Sequence, residues 1–156
     1  MPPPGLTTHP TNMYALALRG DAFAEKKEYA KALEDYDKAI QAYPSFARLY
    51  YHRGVCWCEY AKRGKWYDED KLKSALADYN KVIELDPDYR AAYINRAAIN
   101  KMMGNYKLAL DDYDRILKLT PNDDKTITAR AQTLKAIQDG SKPLVRDDPP
   151  PEEGEK

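Results

Sequence analysis

Two histidines and two cysteines are the side chains of this chain best suited to nucleophilic or proton-transfer chemistry, and their placement argues against both. His9 sits in a proline-rich stretch and His52 stands alone, so no Cys-His or Ser-His-Asp arrangement can be assembled. Cys56 and Cys58 lie two apart on a predicted helix and point to different faces, which keeps them from bridging each other. Without histidines nearby they form no zinc site, and reduced thiols in a cytoplasmic protein are expected. There is no P-loop, no Gly-rich dinucleotide loop and no metal-ligand spacing. The carboxylates Asp35, Asp78 and Asp112 recur one per helical segment, the pattern of a solvated face. What remains is binding: not an enzyme, no cofactor, no metal.

The elements that must position binding residues announce themselves by repetition. Ala32-Leu-Glu-Asp-Tyr-Asp-Lys-Ala-Ile40 returns as Ala75-Leu-Ala-Asp-Tyr-Asn-Lys-Val-Ile83 and as Ala109-Leu-Asp-Asp-Tyr-Asp-Arg-Ile-Leu117. The last two copies start 34 residues apart and the first two 43 apart, and each is followed by a proline: Pro44, Pro87, Pro121. Helical patterning with such a period marks a helix-turn-helix solenoid. Lys+Arg and Asp+Glu both number 25, a balance that argues against a nucleic-acid or membrane-surface binder. No apolar run approaches the ~20 residues a membrane span needs.

Taken in order, residues 1–12 and 139–156 hold eight of the eleven prolines and read as disordered, the second as a plain Pro/acidic tail. Helices are predicted over about 13–27, 29–43, 47–61, 70–85, 90–103, 106–119 and 124–138. Gly20, which lowers helix propensity by about 1 kcal/mol, implies close approach of a partner helix. A nine-residue insertion within 62–71 explains the longer spacing, and a lengthened surface loop is thermodynamically cheap. Its Trp66 and Tyr67 are either contact residues or fold back over the helices. The seventh helix, with Ile127, Ala131, Leu134 and Ile137 set against Lys125, Arg130, Gln132 and Lys135, is expected to cap the stack with its polar face outward.

These residues resemble the tetratricopeptide repeat (TPR) family. Its hallmark positions are filled by Leu16, Gly20, Phe23, Ala32, Tyr36, Ala39 and Pro44 in the first repeat. The second has Tyr50, Gly54, Trp57, Ala75, Tyr79, Val82 and Pro87, and the third has Tyr93, Ala97, Asn100, Ala109, Tyr113, Ile116 and Pro121. Asn100 departs from the usual aromatic and is expected at a polar contact with the neighbouring helix. The resemblance implies an all-α, right-handed superhelical solenoid of antiparallel helix pairs with seven helices. Its repeats span about 13–46, 47–89 and 90–123, with a capping helix at 124–138.

In that family the first helix of each pair lines a concave groove, and such proteins are mostly adaptors for protein or peptide ligands. The groove candidates here are Tyr14, Asp21, Arg48, Tyr51, His52, Val55, Asn95, Lys101 and Lys125, with Trp66 and Tyr67 as a loop contact. Ala17, Leu18, Ala24, Cys58, Ala91, Ile94, Ala98 and Thr128 complete that face. Co-chaperones of the family grip the C-terminal carboxylates of Hsp70 and Hsp90 with a five-residue clamp. The matching positions here are Ala17, Asp21, His52, Ala91 and Asn95, and Asp21 would repel a carboxylate. Binding of such tails, if it occurs, is expected without the usual clamp. The alternative is an oligomerising scaffold that stacks through the uncapped N-terminal end at Met13, Tyr14 and Leu18. Tyr51→Ala with Asn95→Ala is expected to abolish partner binding and leave the melting temperature nearly intact.

Overall fold

A computed structural model describes residues 12–146, the side chain of Arg146 excepted; expectations for 1–11, His9 among them, and for 147–156 lie outside the described residues. Seven helices stack as antiparallel neighbours: α1 (Met13–Glu25), α2 (Tyr29–Ala42), α3 (Ala47–Ala61), α4 (Glu69–Leu85), α5 (Arg90–Met102), α6 (Tyr106–Leu119) and α7 (Asp124–Gln138). Asn12 caps α1 by accepting from the amides of Tyr14 and Ala15, and Asp68 caps α4 by accepting from that of Lys71.

Small residues let each pair close up. A Cβ placed on Gly20 would come 2.9 Å from the Tyr36 ring, and one on Gly54 equally close to Tyr79. The predicted close approach is thus made by a tyrosine ring in each case. Tyr36, Tyr79 and Tyr113 are buried along with Ala32, Ala75 and Ala109 beside them.

Asp35, Asp78 and Asp112 are not on a solvated face. They are buried, and each is gripped by a two-pronged guanidinium: Arg19 on Asp35 at 2.7 Å twice, Arg53 on Asp78 at 2.9 and 2.7 Å, Arg96 on Asp112 at 2.9 and 2.6 Å. Recurrence alone cannot tell a wet carboxylate from a paired one; the arginines recurring on the preceding helix carry that signal. Such forks are the strong class of charged hydrogen bond. Arg53 also holds Asp37 at 2.8 Å and Arg96 holds Asn80 at 2.9 Å, so the ladder ties each repeat to the one before it.

The insertion is a hairpin rather than a loose loop. Strands β1 (Lys62–Arg63) and β2 (Trp66–Asp68) pair antiparallel around Gly64-Lys65, with Gly64 at φ +63°. Tyr67 is partly buried against the main core, so it folds back over the helices. Trp66 beside it is half-buried.

Residues 139–146, expected within a disordered tail, are ordered. After Gly140 the chain turns back along the edge of the solenoid. Tyr106 donates its hydroxyl to the Ser141 carbonyl (2.9 Å), Leu144 N–H donates to the Met102 carbonyl (2.7 Å), and Tyr67 N–H donates to the Leu144 carbonyl (3.0 Å). Strand β3 (Val145–Arg146) then pairs parallel with β2, completing a three-stranded sheet. Pro143 lies on Gly104, where a Cβ would meet its ring at 2.8 Å, and Gly104 ends α5 at φ +79°. Hydrogen bonds at Ser141 and Leu144, Val145 against the core and Pro143 on Gly104 pin this segment, too short a signal to read from composition.

Helix α7 departs most from expectation. Its packed side is Thr126, Ala129, Arg130 and Thr133, while Ile127, Leu134 and Ile137 are 44%, 39% and 46% exposed. The exposed side of the last helix therefore carries an apolar stripe beside the expected polar residues Lys125, Gln132 and Lys135, which are exposed too. At the other end Tyr14 and Leu18 are exposed as expected, whereas Met13, expected to be open with them, is buried in the main core.

Candidate peptide-binding groove

Two cavities open between the first helices of successive repeats. One, of about 530 Å³, lies between α1 and α3 and is lined by Asp21, Ala24, Tyr36, Tyr51, His52 and Val55 together with Glu25, Lys27, Tyr29, Cys56 and Glu59. The other, of about 390 Å³, lies between α3 and α5, with Tyr51, Val55, Cys58, Asn95 and Ala98 over a floor of Leu72, Ile99 and Met102. Tyr51, Val55 and Glu59 line both, so the cavities adjoin along α3.

A side-chain network fixes its walls. Asp21 accepts from the Tyr36 hydroxyl at 2.6 Å and meets His52 Nδ1 at 2.9 Å. Arg48 Nε donates to His52 Nε2 at 3.2 Å, which makes Nε2 the acceptor and leaves the proton on Nδ1, aimed at Asp21. Tyr51 packs edge-on to His52 and tilted against Tyr79 and Tyr89, with ring centroids 6.0, 6.0 and 5.2 Å away. Asn95 donates to the hydroxyls of Tyr79 (3.2 Å) and Tyr51 (3.4 Å). Burial and the hydrogen bond to Asp21 push the Tyr36 hydroxyl well above its usual range, so it stays a donor. Burial likewise pushes the Cys56 thiol up to about 12 and the Cys58 thiol up to about 11, too high for a reactive thiolate at neutral pH.

Of the sequence-derived site residues, Asp21, Arg48, Tyr51, His52, Val55 and Asn95 are brought together here. Tyr14 lies exposed near the N-terminal end, and neither Lys101 nor Lys125 lines either cavity. Tyr67 lines the second cavity from the hairpin side. Tyr29, Glu59 and the Leu72–Ile99–Met102 floor were missed; Glu59, one turn beyond Val55 on α3, was the legible one. Asn100 is buried, and its polar contact is with the Asn105 side chain of the following turn at 3.4 Å. Among the described residues no group of histidines, cysteines and carboxylates is arranged to hold a metal, and no helix is long and apolar enough to cross a membrane.

The helix pairs, the tyrosine-on-glycine contacts and the adjoining cavities coincide with a sequence match to TPR repeat profiles over residues 20–56, 60–104 and 90–123. This chain belongs to the tetratricopeptide repeat family. It is 32% identical over 108 residues to serine/threonine-protein phosphatase 5 of Rattus norvegicus, covering 69% of this chain and 20% of that protein. It is 26% identical over 119 residues to the Hsp70-Hsp90 organizing protein of Triticum aestivum, covering 76% of this chain and 19% of that one. The TPR chain thus spans about a fifth of the length of these curated relatives. The solved first TPR of Spaghetti (RPAP3), bound to the HSP90 peptide SRMEEVD, superposes with a TM-score of 0.70 at 22% identity, covering 86% of this chain and 99% of that one. That likeness is one of fold.

Proposed function

We propose that this TPR chain is a protein-binding adaptor whose groove takes one peptide segment of a partner, with an apolar side chain seated at Tyr51 and Val55. The observation that carries this reading is that both cavities are lined by those residues and so lie side by side along α3. An apolar floor with a few fixed polar groups holds a peptide by side-chain pockets and amide hydrogen bonds. Asp21, Glu25 and Glu59 around the first cavity favour a ligand with a donor or a cation there. They disfavour an acidic C-terminus of the SRMEEVD kind, which the RPAP3 domain binds. Neither nucleic acid, membrane nor cofactor is part of the reading, and its setting is cytoplasmic.

The Tyr51/Asn95 double alanine variant is a poor test, because Tyr51 packs on two other tyrosines and Asn95 satisfies the buried Tyr79 hydroxyl. Val55→Lys is cleaner, since Val55 is only partly buried and lines both cavities. Partners captured by the wild-type chain and lost by Val55→Lys, at an unchanged melting temperature, support the groove. An identical set of partners for both proteins sinks it, and tight SRMEEVD binding by the wild type would overturn the stated ligand preference. Self-association through exposed Tyr14 and Leu18 is the second reading, checked by whether mass rises with concentration and falls back in Leu18→Glu.

A further inference from the structure

Helix α7 stands where the first helix of a fourth repeat would stand. Ile127, Ala131 and Leu134 follow Tyr93, Ala97 and Asn100 by the same 34 residues that separate the last two repeat copies. In the complete repeats this face of the first helix lies beneath the second helix: Tyr36 sits on Gly20, Tyr79 on Gly54, and Tyr113 shares a core with Ala97. On α7 the face is open, with Ile127, Ala131 and Leu134 all exposed. The described residues that follow do not cover it, because beyond Gly140 the chain turns back past Tyr106 and Met102 to the hairpin.

The charges tell the same story. Arg53 and Arg96 each hold two partners, one on the preceding repeat and one carboxylate on the second helix of their own. Arg130 is the next in that series. It keeps the backward partner, Asp114, at 2.7 Å, and among the described residues no own-repeat carboxylate pairs with it.

We propose that the outer face of α7 docks an amphipathic helix of a partner protein, in the manner of a second repeat helix. Its pattern is the one α2, α4 and α6 share: a small residue, a carboxylate three positions on, an aromatic at four and an aliphatic at seven, as in Ala32, Asp35, Tyr36 and Ala39. The aromatic lies on Ala131, the carboxylate completes the fork of Arg130, and the small residue lets the two helices approach. Recognition of an amphipathic helix by spaced anchors is an established mode of peptide binding. The surface is separate from the groove, so either site can fail without the other.

The probe is a capped synthetic peptide, YAKALEDYDKAIQA, with the sequence of Tyr29–Ala42, titrated into the isotope-labelled chain and followed by NMR. Saturable shifts confined to Ile127, Arg130, Ala131 and Leu134 are expected. A peptide carrying Asp35→Asn should bind about tenfold more weakly, and Ala131→Arg in the protein should abolish binding while the melting temperature holds. The proposal is overturned by equal binding of the Asp35→Asn peptide, by shifts centred on Tyr51 and Val55, or by none up to millimolar peptide. It is overturned too if the free chain gains mass with concentration and Ala131→Arg reverses this, since the occupant would then be a second copy.

Discussion

Tyr50 and Gly54 of α3 and Ile127 and Ala131 of α7 hold matching positions in the repeat, yet the first two are buried and the last two face solvent. Residue type does not explain this, since isoleucine is as apolar as any core residue. The difference lies in what comes next along the chain: α4 returns against α3, whereas the segment after α7 leaves for the hairpin. The middle repeat meanwhile buries a carboxylate, Asp78, because Arg53 is there to meet it. Burial in this molecule is set by partners more than by polarity.

The largest break in this comparison should come from the paired arginines. Arg53→Met leaves Asp78 buried without its cation and should cost about 3 kcal/mol. Arg130→Met removes only an ion pair open to solvent on both sides, for about 0.5 kcal/mol or less. Equal losses in chemical denaturation would mean that the ladder is not held by burial. Next come the small residues. Gly54→Val drives a side chain into the Tyr79 ring and should cost about 2 kcal/mol, while Ala131→Val should stay within about 0.5 kcal/mol.

Shortening the chain after Gly140 removes β3 and the Leu144 hydrogen bonds, and should lower stability by about 1 kcal/mol. Hydrogen exchange should show that loss in the hairpin as well as in α7; protection unchanged at Tyr67 would uncouple the two regions. The smallest effect concerns acid. The Thr126 hydroxyl, with Arg90 close by, holds the Asp123 carboxyl below its usual range. Its support for the start of α7 is present above the ordinary carboxylate range near pH 4 and fades as pH falls further. Asp123→Asn should flatten the acid side of the melting curve, and an unchanged profile would place the acid sensitivity elsewhere.

Much of this was legible in the sequence. Seven helices were predicted to within about two residues at each end, because Pro44, Pro87 and Pro121 and the Gly104-Asn105 turn punctuate a strong periodicity. The centre of the groove, from Asp21 through Tyr51 and His52 to Asn95, followed from the face opposite the packing stripe. Three things were hidden, each for want of a partner in view. Asp35, Asp78 and Asp112 looked wet until set against Arg19, Arg53 and Arg96. The stripe of α7 was read in the right register, but a stripe cannot say whether a helix will come to cover it. Strand β3 depends on an edge that exists only once the insertion has folded.

The parallel pairing of Tyr67 with Val145 has a consequence for folding. In a plain solenoid each repeat touches only its neighbours, so stability spreads along a line and the ends open first. Here the chain beyond α7 reaches over the third repeat and fastens to the second, turning the line into a closed ring. Opening of the last helix should therefore also loosen the middle of the array, so that two stretches far apart in sequence are expected to melt together.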